Sequence, residues 1–473
     1  MTAIALSGCI GGQSGADGKS KPNFMEYNYE PQTPPYSEVE LMDANGCSIR
    51  KMTFEGDDPL EGYVLENEYL YISILKDWGA KIYNCVFKPT AHDMAWKNEY
   101  ARLLNPQLEK SRSGPIWQEY EIGGFDDCLP SVGECDYRNI HIPDHGESWL
   151  LPWEVKNVDN SSKRVSITME CTLKETPFKI EKTLTLFESQ SRYLRHYKIT
   201  NVGDEDWPFQ WADHASIAPG GAVKTGDRMF LPDGTTLMVY FTKDGRMGEQ
   251  GTIVDWPMAK QADGNWIDLS TLGPSELGYA EKFFTTELKE GWVAAADPAK
   301  SEALAFVWPK SVMPYAGVWI DQGGHRGYQQ IALEATNAWG DCLNESVERF
   351  GKYGQLEPGE SVEFDIWTSI CGGISDIKRV TPSGIYIQSE IIAEGSKIVG
   401  KVSVPAKGTI EIYYEPPVAL PTPGMERFQI FKIDTSPDKA VEISADALFP
   451  GTYVVEVWSA YGRLIETLCE LGV

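Results

Sequence analysis

The chain alternates apolar and polar residues at period two far more often than at any helical spacing. Over residues 164–173, Val165, Ile167, Met169, Cys171 and Leu173 share one face, and Ser166, Thr168, Glu170 and Thr172 share the other. That is the pattern of a strand with one face in a core and one in solvent. Leu70, Ile72 and Ile74 alternate with Tyr69, Tyr71 and Ser73, and Ile180, Leu184 and Leu186 extend the same signal. The strand predicted over 193–200 stops at the turn sequence Asn201-Val202-Gly203-Asp204. Helical periodicity is scarce; residues 92–108 predict one helix, broken at Pro106. Many short strands separated by Gly, Pro, Asn and Asp predict an all-β chain built as an antiparallel sandwich, not a parallel α/β sheet.

The turn Leu356-Glu357-Pro358-Gly359-Glu360 precedes the alternating run Val362-Glu363-Phe364-Asp365-Ile366-Trp367. The main unit is expected to close shortly after it, near residue 376. Strand patterns resume at 385–392, 408–414, 428–433 and 452–458. Some 95 residues carrying several short strands fit a small immunoglobulin-like or fibronectin-like sandwich. The predicted organisation is a leader and linker at 1–40, a large β domain at 41–376, and a small β-sandwich at 380–473.

Composition narrows the partners. The 473 residues hold 42 Lys and Arg against 69 Asp and Glu, a net charge of −27. Such a field repels phosphate backbones and anionic membranes, so nucleic acid is not an expected partner. A neutral sugar tolerates it. No apolar run approaches the roughly 18 residues that span a membrane. The tetrad Leu6-Ser7-Gly8-Cys9 is similar to a bacterial lipobox, with Cys9 as the lipid-bearing residue and a polar, Pro-containing tether behind it. It predicts an extracytoplasmic protein, periplasmic or at the cell surface, that touches a membrane only through that anchor. No charged stretch precedes a rather short apolar run, so either the true start lies upstream or the tetrad is a chance match. Nine cysteines are too sparse for a disulfide scaffold and show no zinc-type spacing. They read as small buried hydrophobes, although Cys128 and Cys135 are near enough in sequence to bridge.

Three of the six histidines stand in suggestive surroundings: His145 in Pro143-Asp144-His145-Gly146, His214 in Trp211-Ala212-Asp213-His214, and His325 in the loop Gly323-Gly324-His325-Arg326-Gly327. Histidine is the side chain best placed for proton transfer near neutrality. Taken singly, each is equally well explained as a loop or edge histidine bonded to backbone. Glu334 ends an apolar strand, Ile331-Ala332-Leu333-Glu334, where a carboxylate faces either a cleft or solvent. No HExxH-type spacing marks a metal site.

The order of motifs resembles the galactose mutarotase-like (aldose 1-epimerase) superfamily. Gly123-Gly124-Phe125-Asp126-Asp127-Cys128-Leu129-Pro130 is followed by His145-Gly146 and Trp149. Asn67-Glu68-Tyr69-Leu70 leads into Asp77-Trp78-Gly79-Ala80, similar to the family's early hairpin. Trp319, a Gly-rich turn, Leu333-Glu334 and the Pro-Gly-Glu turn at 358–360 close the series. The resemblance covers residues 55–375. It implies a large mutarotase-like supersandwich that binds a small sugar or a glycan end. It makes Glu334 the general base, His214 the general acid and His145 a sugar contact, with Trp149, Asp127, Trp319 and Arg326 as further contacts. Anomer interconversion by such a pair requires no cofactor and no metal. The chain departs from the family where Ala215-Ser216 follows the acid histidine and Ala335 follows the glutamate. Two other readings therefore stand beside an epimerase: a sugar-binding module without turnover, and a glycan lyase or hydrolase. A hydrolase would pair Asp126 or Asp127 with Glu334 across a glycosidic bond.

Overall fold

The computed structural model describes residues 46–54, 59–98, 101, 121–324, 327, 329–374, 376–417 and 427–473. Two antiparallel sheets dominate, one of twelve strands and one of eight. Their facing sides meet in a single apolar core that takes in Ile72, Leu129, Ile167, Ile180, Tyr193, Phe283 and Ile366. The strand Arg164–Thr172 shows why the sequence folds this way. Val165, Ile167, Met169 and Cys171 are buried, while Ser166, Thr168 and Glu170 between them are half-buried on the other side. The all-β expectation holds.

Residues 92–98 are not helical. His92–Asp93 pairs antiparallel with Val86 and Phe87. Asp93 explains the difference: its carboxylate accepts from the backbone N–H of Cys85 at 2.8 Å and of Ala95 at 3.1 Å. A side chain that bonds nearby backbone in this way competes with helix formation. The remainder of the expected helix, and Pro106, lie outside the described residues.

From Arg379 onward the chain forms two four-stranded sheets around their own apolar cluster, including Ile398, Ile410, Val441 and Val455. This part leans on the outer side of the eight-stranded sheet. The strands Trp292–Asp297 and Glu302–Val307 are buried on both faces because Ile374, Ile377, Val380 and Tyr386 cover their alanines. All eight described cysteines are free thiols; Cys128 and Cys135 do not bridge.

The core also contains charge. On the strand Phe125–Cys128, Asp127 turns inward and accepts from Lys182 at 2.8 Å and from the Tyr197 hydroxyl at 2.7 Å. On its neighbour Ala212–Ile217, Asp213 takes both guanidinium nitrogens of Arg195 at 2.6 Å. Lys182 and Arg195 belong to the opposite sheet, and all four side chains are essentially inaccessible. Removing one partner of such a pair strands a buried charge and costs about 3–5 kcal/mol, more than replacing both by apolar groups. Asp213→Ala is thus expected to lower the unfolding free energy by that amount. The double change Arg195→Met with Asp213→Leu should cost clearly less, as measured by urea denaturation.

Candidate functional site

Period two carries the consequence to the other side of the large sheet. With Asp127 and Asp213 facing inward, their neighbours Asp126 and His214 face outward. The register pairs Asp126 with His214. It also pairs Ala212 with Thr336 and Ser216 with Ala332, which sets His214 opposite Glu334. Asp126, His214 and Glu334 therefore form one row across three adjacent strands. His214 Nε2 lies 3.8 Å from Glu334 Oε1, with the carboxylate fully buried and the imidazole nearly so.

The next strand, Tyr315–Gln322, places Gly317 opposite Glu334. A Cβ at Gly317 would sit 2.8 Å from Glu334 Oε2. Because that Cβ is missing, Lys282 reaches across from the strand Tyr279–Thr285 and clasps both carboxylate oxygens, at 2.5 and 2.6 Å. Lys282 also lies 3.6 Å from Asp341. At the other end of the row Lys81 binds Asp126 at 2.7 Å and the Gly123 carbonyl at 2.9 Å. Two buried lysines thus match two buried carboxylates. The second oxygen of Asp126, Oδ1, is buried and has no hydrogen-bond partner among the described residues.

His145 enters from a loop. The backbone there is held by its N–H on the Val132 carbonyl at 2.5 Å and by the Gly146 N–H on that of Pro143 at 2.8 Å. A Cβ on Gly146 would meet the Leu129 carbonyl at 2.3 Å, so the His-Gly dipeptide requires its glycine. His145 itself has φ +63°, a strained value for a side-chain-bearing residue. Its ring meets that of His214 edge-on, with centroids 4.8 Å apart and planes at 82°. Its Nδ1 is 2.9 Å from Asp144 Oδ1.

The structure thus brings His145, His214 and Glu334 together. Trp319 shares their face, directly across from Lys282; it stacks on Phe241 at 6.3 Å and donates to Gln330 at 3.1 Å. Two expected contacts are corrected. Asp127 points into the core, where its ion pair with Lys182 holds it, and the outward carboxylate is that of Asp126. Trp149 has no exposed surface; it donates to the Asp144 carbonyl at 2.8 Å and backs the His145 loop from behind. Arg326 and Cys9 lie outside the described residues. Lys81 and Lys282 were missing from the expected contacts, and Asp126 had entered only as a possible hydrolase partner of Glu334. A signal existed: Lys81 opens Lys81–Phe87, and Lys282 sits among aromatics in Tyr279–Thr285, strands where a lysine is buried only if paired. Among the described residues no group of three His, Cys, Asp or Glu side chains is arranged to hold a metal ion.

Burial governs the protonation of this row. It holds the His214 imidazole down to about 3; Glu334 pulls the other way, and His145, Lys282 and Lys81 add to the depression. His145 is likewise held well below the ordinary histidine range by burial, then by Lys282 and Lys81. Burial pushes Asp126 up to about 6 against the opposing pull of Lys81. Burial alone would lower Lys282, but Asp341 and Glu334 outweigh it and hold the ammonium above its usual value.

No family model and no curated protein sequence matches the chain. Among solved structures it is similar to a candidate aldose 1-epimerase from Klebsiella pneumoniae subsp. pneumoniae MGH 78578. The identity is 15% over 68% of this chain and 87% of that one, with a TM-score of 0.53. It also matches the Slr1438 protein of Synechocystis sp. PCC 6803, at 17% identity over 68% of this chain and 99% of that one, with a TM-score of 0.48. A galactose mutarotase-like protein from Clostridium acetobutylicum matches at 10% identity over 69% and 99%, with a TM-score of 0.48.

The depressed histidines give a stability prediction with a definite sign. A histidine neutral in the fold but titrating near 6.5 when unfolded binds its proton preferentially in the unfolded chain. Stability is then fully present above pH 6.5 and is lost as pH falls toward the folded value. Each histidine contributes a slope of up to roughly 1.4 kcal/mol per pH unit. The double variant His145→Asn with His214→Asn should lose visibly less stability between pH 6.5 and 5 than the wild type, in denaturant titrations at each pH.

The two-sheet architecture and its likeness to the Klebsiella structure give this chain the galactose mutarotase-like sandwich fold.

Proposed function

We propose that the row His145, His214 and Glu334 binds an aldose and interconverts its anomers. The observation that carries this reading is the 3.8 Å gap between His214 Nε2 and Glu334 Oε1. The gap is too wide for a direct hydrogen bond, and in this reading a sugar oxygen bridges the two groups at about 2.8 Å from each. Glu334 takes the proton from the O1 hydroxyl as the C1–O5 bond breaks, and protonated His214 gives its proton to O5. The open aldehyde turns about C1–C2, and the same two groups, with roles exchanged, close the ring on the other face. The unpartnered Oδ1 of Asp126 supports the reading, since a sugar hydroxyl is the donor it lacks.

A low-titrating His214 is protonated rarely at neutral pH. Turnover per bound sugar is therefore expected to rise as pH falls from 8 to 6. One observation favours a second reading, a binder without turnover: Lys282 neutralises both oxygens of the base. One-dimensional NMR of α/β exchange on free hexoses, pentoses and uronic acids separates the two. For a catalyst, Glu334→Gln and His214→Asn should each slow exchange by about two to four orders of magnitude while affinity changes much less. For a binder, the wild type does not exceed the buffer rate, and the same substitutions alter affinity alone.

A further inference from the structure

The small C-terminal sandwich has a surface independent of the row described above. Its sheet Phe428–Thr435, Gly408–Glu415, Thr452–Ser459 and Leu464–Gly472 buries Ile410, Ile412, Val455 and Val457 on one side. Period two turns Thr409, Glu411, Tyr413, Glu456 and Trp458 to the other. There, a shallow groove of about 780 Å³ is lined by Trp458, Glu411, Asp434, Lys407, Lys432 and Lys439, among others.

The floor of this groove is fixed by ion pairing. Glu411 and Glu456 stand directly opposite each other, a like-charge pair that would be unfavourable unless neutralised. Glu456 receives Arg427 through both guanidinium nitrogens, at 2.8 and 3.1 Å, and the Trp458 Nε1–H at 3.1 Å. Glu411 receives Thr409 at 2.9 Å, the Tyr413 hydroxyl, and Lys432 at 2.9 Å. The indole is thus anchored by its N–H while it lines an open groove. An aromatic ring so fixed, ringed by hydrogen-bonding groups, suits a pyranose, which offers an apolar C–H face and a polar rim. It does not suit an apolar peptide side chain, which needs an enclosed greasy pocket.

Charge names the kind of sugar. Carboxylates outnumber cations 69 to 42 in the whole chain, yet three lysines line this groove against Glu411 and Asp434. Glu411 is already occupied by three donors. Lys407 reaches Glu68 at 3.1 Å, and Lys439 has no ion-pair partner among the described residues. We propose that this groove binds an acidic glycan, one sugar ring stacked on Trp458 and its carboxylate met by Lys439.

Calorimetric titration of the full chain with a galacturonic-acid oligomer at low salt tests this. The wild type should bind, with affinity falling as salt is raised. Trp458→Ala should weaken binding about tenfold or more. Lys439→Glu, an exposed change with little effect on folding, should weaken it several-fold. His214→Asn should bind as the wild type does, which separates this groove from the sugar site of the main domain. No binding, binding untouched by either groove variant, equal binding of a neutral glucose oligomer, or tighter binding of single-stranded DNA would each overturn the proposal.

Discussion

The outward face that carries Asp126, His214 and Glu334 depends on two ion pairs in the core. Asp127 with Lys182 and Asp213 with Arg195 join the large sheet to the small one at the point where the strands Phe125–Cys128 and Ala212–Ile217 run side by side. A one-residue slip of either strand would exchange its two faces. A slip of Ala212–Ile217 would put Ala212 or His214 in place of Asp213 and leave Arg195 uncompensated in the core, and a slip of Phe125–Cys128 would turn Asp127 away from Lys182 and Tyr197. The pairs therefore fix the register, and through it they dictate that Asp126 and His214 look outward beside Glu334.

The outward face obeys the same rule in a different form. Its carboxylates are buried as well, and each has a lysine: Lys81 for Asp126, Lys282 for Glu334. A buried carboxylate without a partner would protonate or unfold the site. Burial outweighs the pull of Glu334 on His214 and, with Lys282 and Lys81, holds both histidines below the ordinary range. The second oxygen of Asp126 stays buried without a hydrogen-bond partner among the described residues. The missing side chain of Gly317 is as much a part of this as any charged group, because it lets lysine and glutamate meet above the strand between them.

Much of the fold was legible in the sequence. Alternation over 164–173 gave both the strand and its buried side, and the turn sequences gave many of the breaks. The start of the helix expected over 92–108, residues 92–98, was misread, because periodicity says nothing of an aspartate that bonds its neighbours' backbone. Of the site, His145, His214 and Glu334 were found through the order of motifs, and they stand together in space. The same motifs could not decide between Asp126 and Asp127. Adjacent carboxylates in a strand must face opposite ways, and only the position of Lys182 across the core determines which one is inside. Trp149 was expected as a sugar contact and is buried behind the His145 loop, since a tryptophan beside a strained loop residue serves packing as readily as binding. Lys81 and Lys282 went unnoticed because a single lysine in an apolar strand looks like an edge residue until its partner is known.

The central claim is that one buried, charge-balanced row of side chains receives a sugar. The most direct measurement is NMR of the protein with isotope-labelled histidine rings, followed through pH and through addition of free aldoses. The account predicts that the His145 and His214 rings remain neutral from pH 8 to below 5.5, and that both shift together on saturation with a sugar that binds. A ring of either residue titrating near pH 6.5 in the folded protein, or a bound sugar that leaves both rings unmoved, would contradict it.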